Sequence, residues 1–361
     1  MIIQAEGLCL GKELKPGFVE TADGKITRVE NGKFHGTPDA SVEYLAPGFV
    51  DVHSHGGGGA AFTGGTDDAR TVLATHRAHG TTTMIGSLVT ATMDELLEQI
   101  VALEPLVHSG ELAGIHLEGP WISPCNKGAH DATKLAVPDK ESIDTILALE
   151  PGLVKMVTIA PELEGALEAI RRFASAGIVA ALGHTVADFD MAVRGLQAGA
   201  RGFTHLFNAM PDLKHRDPGP VLAGLRDAEA YLELIFDTHH VDRHLVSWVI
   251  GAEPERVVLI TDAMEAAGMP DGNYSLGGLP VKVVDTVARL VDGGSIAGST
   301  IFLETAVMNA VANDISLAHA VWMATTNPAS YLGLQGVGKL EAGFKADLIE
   351  LDATGKVQQM F

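Results

Sequence analysis

The stretch GFVDVHSHGGGG, ending at Gly59, sets two histidines, His53 and His55, at the end of an apolar run. On a β-strand, residues two apart point to the same face, so both imidazoles project into one space. The glycines that follow let the backbone turn sharply away and leave room at the strand end. Paired imidazoles delivered into such an opening are the start of a metal site, although HxH alone is a weak motif. Other reactive side chains stand just past other apolar runs. Glu118 follows one in IHLEGPW, His184 in ALGHT, His205 in THLFNAM, His239 and His240 in DTHHVD, and Asp262 in LITDAM. Glu118, His184 and His205 make an N/O set with a position left open, as catalytic zinc sites require. Borderline ligands of this kind do not fix the ion: zinc stands first, with iron, cobalt or manganese as alternatives. Asp262 suits a general acid–base that takes a proton from attacking water and passes it to a departing group.

These residues act together only if the chain delivers them to one rim. Eight apolar runs read as strands: residues 42–52, 82–88, 113–117, 154–159, 178–182, 202–204, 231–236 and 257–260. Helix-like stretches at 67–79, 93–108, 162–176 and 188–198 alternate with them, several with Asp or Glu near the start and Gly soon after the end. Eight such units predict an α/β fold of the closed (β/α)8, TIM-type barrel rather than an open doubly wound sheet. Reactive groups in that fold gather at the C-terminal ends of the strands. Six strand ends here carry one. Glycine-rich, β-prone sequence at 272–300 breaks the rhythm as an inserted hairpin, and helices near 302–313 and 316–325 close the domain. Short β-type segments at both termini hold too few apolar residues for a core each. They are expected to pair into a small β-sandwich of residues 1–45 and 336–361, beside a catalytic barrel of residues 46–335.

Composition narrows the classes. A 361-residue chain with 46% hydrophobic residues and 41 glycines fits a packed, turn-rich globular protein. No apolar run reaches the length of a membrane span, and no basic region followed by a signal core opens the chain. Two cysteines, Cys9 and Cys125, make no disulfide framework, which agrees with a reducing, cytoplasmic setting. A formal charge of −21 argues against nucleic acid or an anionic membrane as partner. It leaves room for a small anionic substrate held by a few local cations.

The HxH pair, HLEGP, GHT, THLFNAM and TDA together resemble the amidohydrolase superfamily, and within it the N-acetylglucosamine-6-phosphate deacetylases. The resemblance runs over essentially the whole chain, to the ATTNPASYLGL and ADLIELD segments of the ending. HLEGPW with KGAH, and THLFNAMP with RDPG, carry it far more specifically than HxH. It implies a divalent metal and hydrolysis of an acetamide on a sugar phosphate, giving glucosamine 6-phosphate and acetate. An amide hydrolyses slowly in water, and a divalent cation supplies a strong nucleophile at neutral pH. By the same resemblance His130 polarises the carbonyl, opposite the metal. Arg216 and His240 match positions that bind the 6-phosphate from the neighbouring subunit, so a homodimer is implied. Asn208 and the backbone of Ala209 look like further substrate contacts. The HxH pair is variable in that family; both histidines are kept here with Glu118 able to bridge, so one or two ions per subunit are expected. Cys125, on the loop before His130, is either incidental to the site or a reactive thiol.

Two rival readings remain. A different amidohydrolase, such as a cyclic-amide hydrolase or a deaminase, uses the same frame, but many cyclic-amide hydrolases bridge their metals with a carboxylated lysine where Glu118 stands. A non-catalytic assembly protein on this barrel should have lost ligands or Asp262, and this chain keeps them all.

Overall fold

A computed structural model describes residues 1–361. The chain begins with an antiparallel meander of Ile2–Leu10, Glu13–Ala22 and Lys25–Asn31. The tight turn between the last two is Asp23-Gly24, both at positive φ (50° and 70°), the conformation that dipeptide favours. Ala40–Pro47 pairs parallel with Ile2–Leu10 and antiparallel with Leu348–Leu351, and Val357–Met360 completes the edge. The termini therefore do come together, but as one continuous six-stranded sheet where a two-layer sandwich was expected. Register shifts between Ala5 and Leu8 and between Glu20 and Thr21 bend the long strands. Ile3, Leu8, Val19, Ile26, Leu45 and Leu348 form their own apolar core against the sheet.

The apolar run read as a single strand at 42–52 is split at Gly48. Ala40–Pro47 belongs to the terminal sheet, and Phe49–Asp51 begins the parallel one. A Cβ on Gly48 would lie 2.2 Å from Thr82 Oγ1, so only glycine lets the chain cross there. Seven strands then run parallel in chain order: Gly86–Val89, Ile115–Glu118, Val154–Ile159, Val179–Leu182, Gly202–Phe203, Tyr231–Ile235 and Val257–Ile260. Thr81–Met84, just before the first of them, pairs with Phe49–Asp51. Hydrogen bonds tie the end of the last strand to Phe49–Asp51 and the residues after it. Asp262 N–H donates to His53 O at 2.8 Å, Ser54 bridges Ala263, and Thr261 Oγ1 donates to Asp51 Oδ2 at 2.6 Å. Val50, Met156, Val179, Ile235 and Ile260 pack inside the curl, while alternate strand residues face the helices.

The helices sit near their expected places at Thr66–Arg77, Met93–Ser109, Ala166–Ser175 and Phe189–Gln197. The second opens on a full capping box, with Thr92 and Glu95 exchanging side-chain-to-backbone hydrogen bonds. Lys140–Leu147, Gly219–Arg226 and Arg243–Ala252 are further helices that the sequence reading did not name. The inserted segment is a three-stranded meander, Gly272–Leu276, Leu279–Val284 and Val287–Leu290, rather than one hairpin. No helix is long and apolar enough to cross a membrane.

Candidate active site

Each short strand delivers its reactive residue at, or two residues past, its C-terminal end. Glu118 closes Ile115–Glu118, and His53, His184, His205 and Asp262 each lie two residues beyond a strand. Three of these hold a left-handed backbone: His184 at φ 45°, His205 at 31° and Asp262 at 48°. Non-glycine residues enter that region at a cost of about 1–3 kcal/mol, and such strain gathers where side-chain aim matters more than local comfort.

Glu118 is the hub. Its Oε1 lies 3.0 Å from His205 Nε2, 3.2 Å from His184 Nε2 and 3.4 Å from His53 Nε2. Its Oε2 lies 3.1 Å from His55 Nε2 and 3.4 Å from His130 Nε2. Asp262 Oδ1 stands 3.3 Å from His55 and 3.5 Å from His53. All are buried. Burial by itself lowers His55, yet Asp262 and Glu118 raise it to about 9. Burial pushes Asp262 up, but the charge on His53 and the hydrogen bond from His55 hold it down at about 2. His184 is lowered to about 4, chiefly by burial.

The far side of each ring fixes which nitrogen faces inward. His184 Nδ1 is 2.9 Å from Asn126 O, His55 Nδ1 is 3.1 Å from Ser87 O, and His53 Nδ1 is 3.0 Å from Glu233 Oε2. An oxygen acceptor takes the proton of Nδ1, so each of the three rings, when neutral, turns an Nε2 lone pair toward Glu118. Ligand atoms tetrahedrally arranged on an ion at about 2.0–2.2 Å lie roughly 3.3 Å apart. The separations here, 3.0–3.5 Å, match that spacing. Lone pairs brought this close are unfavourable unless a proton or a cation takes them. The set fits a divalent ion.

His130 is tuned the other way. Thr90 meets its Nδ1 twice, with Oγ1 at 2.8 Å and with the amide N–H at 3.3 Å; the amide can only donate, which makes Nδ1 an acceptor and leaves the proton on Nε2. That proton bars Nε2 from ligation and lets it donate toward the cluster. The cleft above has a volume of about 470 Å³, and Asn208, Ala209 and His240 line it with Cys125, whose thiol is free and exposed. Asp237 accepts from His240 Nδ1 at 2.6 Å and from the amides of His239 and His240, which leaves His240 Nε2 for a ligand. His240 was expected to serve a neighbouring subunit; it lines the cleft of its own chain. Arg216 lies on the exposed 211–218 loop and does not line that cleft.

Two residues escaped the sequence reading. Glu233 sits midway in the apolar strand Tyr231–Ile235, where a charged residue was itself the signal, because buried carboxylates need partners. Thr90, which sets the proton of His130, carries no such mark.

The chain matches the amidohydrolase family over residues 44–361. It is 38% identical over 347 residues to an N-acetylgalactosamine-6-phosphate deacetylase of Escherichia coli, covering 94% of this chain and 92% of that one. To an N-acetylglucosamine-6-phosphate deacetylase of Vibrio furnissii it is 34% identical over 369 residues, covering 99% and 92%. Among solved structures, the N-acetyl-D-glucosamine-6-phosphate deacetylase of Mycobacterium smegmatis, in complex with N-acetyl-D-glucosamine-6-phosphate, matches with a TM-score of 0.96 and 42% identity. That match covers 100% of this chain and 97% of the other.

Proposed function

This chain belongs to the amidohydrolase family, and from that premise we propose that it removes the acetyl group of N-acetyl-D-glucosamine 6-phosphate, releasing D-glucosamine 6-phosphate and acetate. The observation that carries the reading is the convergence of Glu118, His184 and His205 on one point, with Asp262 and His130 on its two sides. Bound there, a divalent cation would supply Lewis-acid chemistry, lowering the pKa of an attacking water and polarising the acetyl carbonyl. Glu118, His184 and His205 would hold it, and His53 and His55 with Glu118 would hold a second. Zinc is the first choice of ion.

Asp262, ionised well below neutral pH, takes the proton of the attacking water. As the water oxygen bonds to the acetyl carbon, His130 Nε2–H donates to the carbonyl oxygen, where negative charge develops. Asp262 then returns the proton to the amine nitrogen, the C–N bond breaks, and acetate and the free amine leave. Asn208 and the amide of Ala209 contact the sugar, and His240, oriented by Asp237, contacts the phosphate. Arg216 completes the phosphate site from a second copy of the chain, its planar fork suited to paired hydrogen bonds with phosphate oxygens. The reading implies a homodimer, a cytoplasmic setting, and a closed (β/α)8 catalytic barrel of residues 46–335 beside a β domain of 1–45 and 336–361.

Acetate release tests it directly. The zinc-loaded protein should act on N-acetylglucosamine 6-phosphate and spare the unphosphorylated sugar. Equal rates on both would remove the phosphate pocket, and no release from either would return the chain to the rival amidohydrolases. The 38% identical relative favours a second substrate, so the galactosamine epimer belongs in the same assay.

A further inference from the structure

Glu233 is a carboxylate against the cluster that the reaction leaves unused. It is fully buried, and its sole ion-pair partner is His53, whose Nδ1 lies 3.0 Å from Oε2. Oε2 also accepts the backbone N–H of His205 at 3.3 Å, while Oε1 makes no hydrogen bond and the Tyr331 hydroxyl, itself unpaired, stands beside the carboxylate. A buried carboxylate with an unsatisfied oxygen and no Lys or Arg beside it weakens the fold that holds it. Such a group persists when something else needs its charge.

The neighbouring rings show what sets His53 apart. His55 and His184 are oriented by backbone carbonyls, and His205 Nδ1 has no partner. Only His53 turns its outer nitrogen to a carboxylate. Its ring is also wedged edge-on against His116 at 4.7 Å, so it cannot flip freely. A carboxylate on the outer nitrogen of a ligating histidine fixes the tautomer and makes the inner nitrogen a stronger donor.

We infer that Glu233 is the positioning residue of a second divalent cation site built from His53, His55 and Glu118. It keeps the proton on His53 Nδ1, leaves Nε2 as the ligand atom and offsets the charge of a second ion in a water-poor interior. This rests on the two-ion reading above, and the Glu118–His184–His205 site does not depend on it.

Zinc titration of the ion-stripped protein against a chromogenic chelator, with metal content measured after gel filtration, tests the assignment. The parent should retain two zinc ions per chain. Glu233→Gln should weaken the second by about 10–100-fold and leave the first unchanged. In a His53→Asn background Glu233→Gln should alter zinc binding no further, whereas a merely structural role would weaken both sites in either background. The ion-free Glu233→Gln protein should resist urea at least as well as the ion-free parent, because a buried charge has gone. If that variant gives no folded protein, Glu233→Asp, which keeps the charge but withdraws it from His53, should show the same selective loss. Two ions held equally tightly by these variants would overturn the role of Glu233 and leave the two-ion reading standing. A parent that holds one ion would overturn both.

Discussion

At the scale of single residues, the site works by opposite treatment of similar groups. Five imidazoles surround one carboxylate, yet His53, His55 and His184 present lone pairs while His130 presents a proton. The difference lies in what touches the far nitrogen: a carbonyl or carboxylate oxygen in the first three, the hydroxyl and backbone N–H of Thr90 in the last. Asp262 is held ionised by its histidine neighbours, as a proton acceptor must be. Replacing it by Asn keeps the shape and removes the base. Asp262→Asn should lower kcat about a hundred- to ten-thousand-fold with zinc content unchanged. Loss of zinc in that variant would make Asp262 a ligand first and a base second.

At the scale of elements, the glycine run after His55 is clamped by the helix Thr66–Arg77. His76, near the end of that helix, is buried and donates from Nε2 to Gly56 O at 3.0 Å. Gly58 stands at φ 66°, and a Cβ there would meet Thr75 Oγ1 at 2.3 Å, so helix and loop fit only with glycine between them. Burial lowers His76 from its ordinary 6.5 to about 4. Between those values the unfolded chain binds a proton that the folded chain refuses, so stability rises with pH across the window. The contribution is fully present above 6.5 and is lost as pH falls toward 4, on the order of 3 kcal/mol. His76→Gln keeps a donor for Gly56 O and cannot titrate. Urea unfolding should therefore lose less stability between pH 7 and pH 5 in this variant than in the parent; equal losses would mean that His76 does not titrate on unfolding.

At the scale of the whole molecule, the terminal sheet runs into the strand that carries His53 and His55 with only Gly48 between them. The far end of the chain, Leu348–Leu351, pairs with that same terminal strand, so the two termini together steady the segment that leads to His53 and His55. The phosphate site proposed above calls for a still larger unit, because Arg216 stands outside the cleft of its own chain. Arg216→Ala and Asp262→Asn proteins should each be nearly inactive. Refolded together, they should recover about a quarter of parental activity, since half the dimers then hold one complete site. No recovery would place the phosphate contact within a single chain.

Much of the site was legible because it is written in short-range pattern. A run of apolar residues with His, Glu or Asp at or just past its end needs only the geometry of a strand to be read, and Glu118, His184, His205 and Asp262 all stand where that rule puts them. Asp23-Gly24 and the helix caps are local in the same way. What the tertiary structure alone decided depends on contacts between distant residues. Gly48 breaks an apolar run because Thr82 crowds it from another strand. His53 meets Glu233 across 180 residues of sequence, and His130 receives its amide donor across 40. Which nitrogen of a histidine carries the proton follows from what packs on the far side of its ring. No local period encodes that, because the partner arrives only when distant strands come together in the curled sheet.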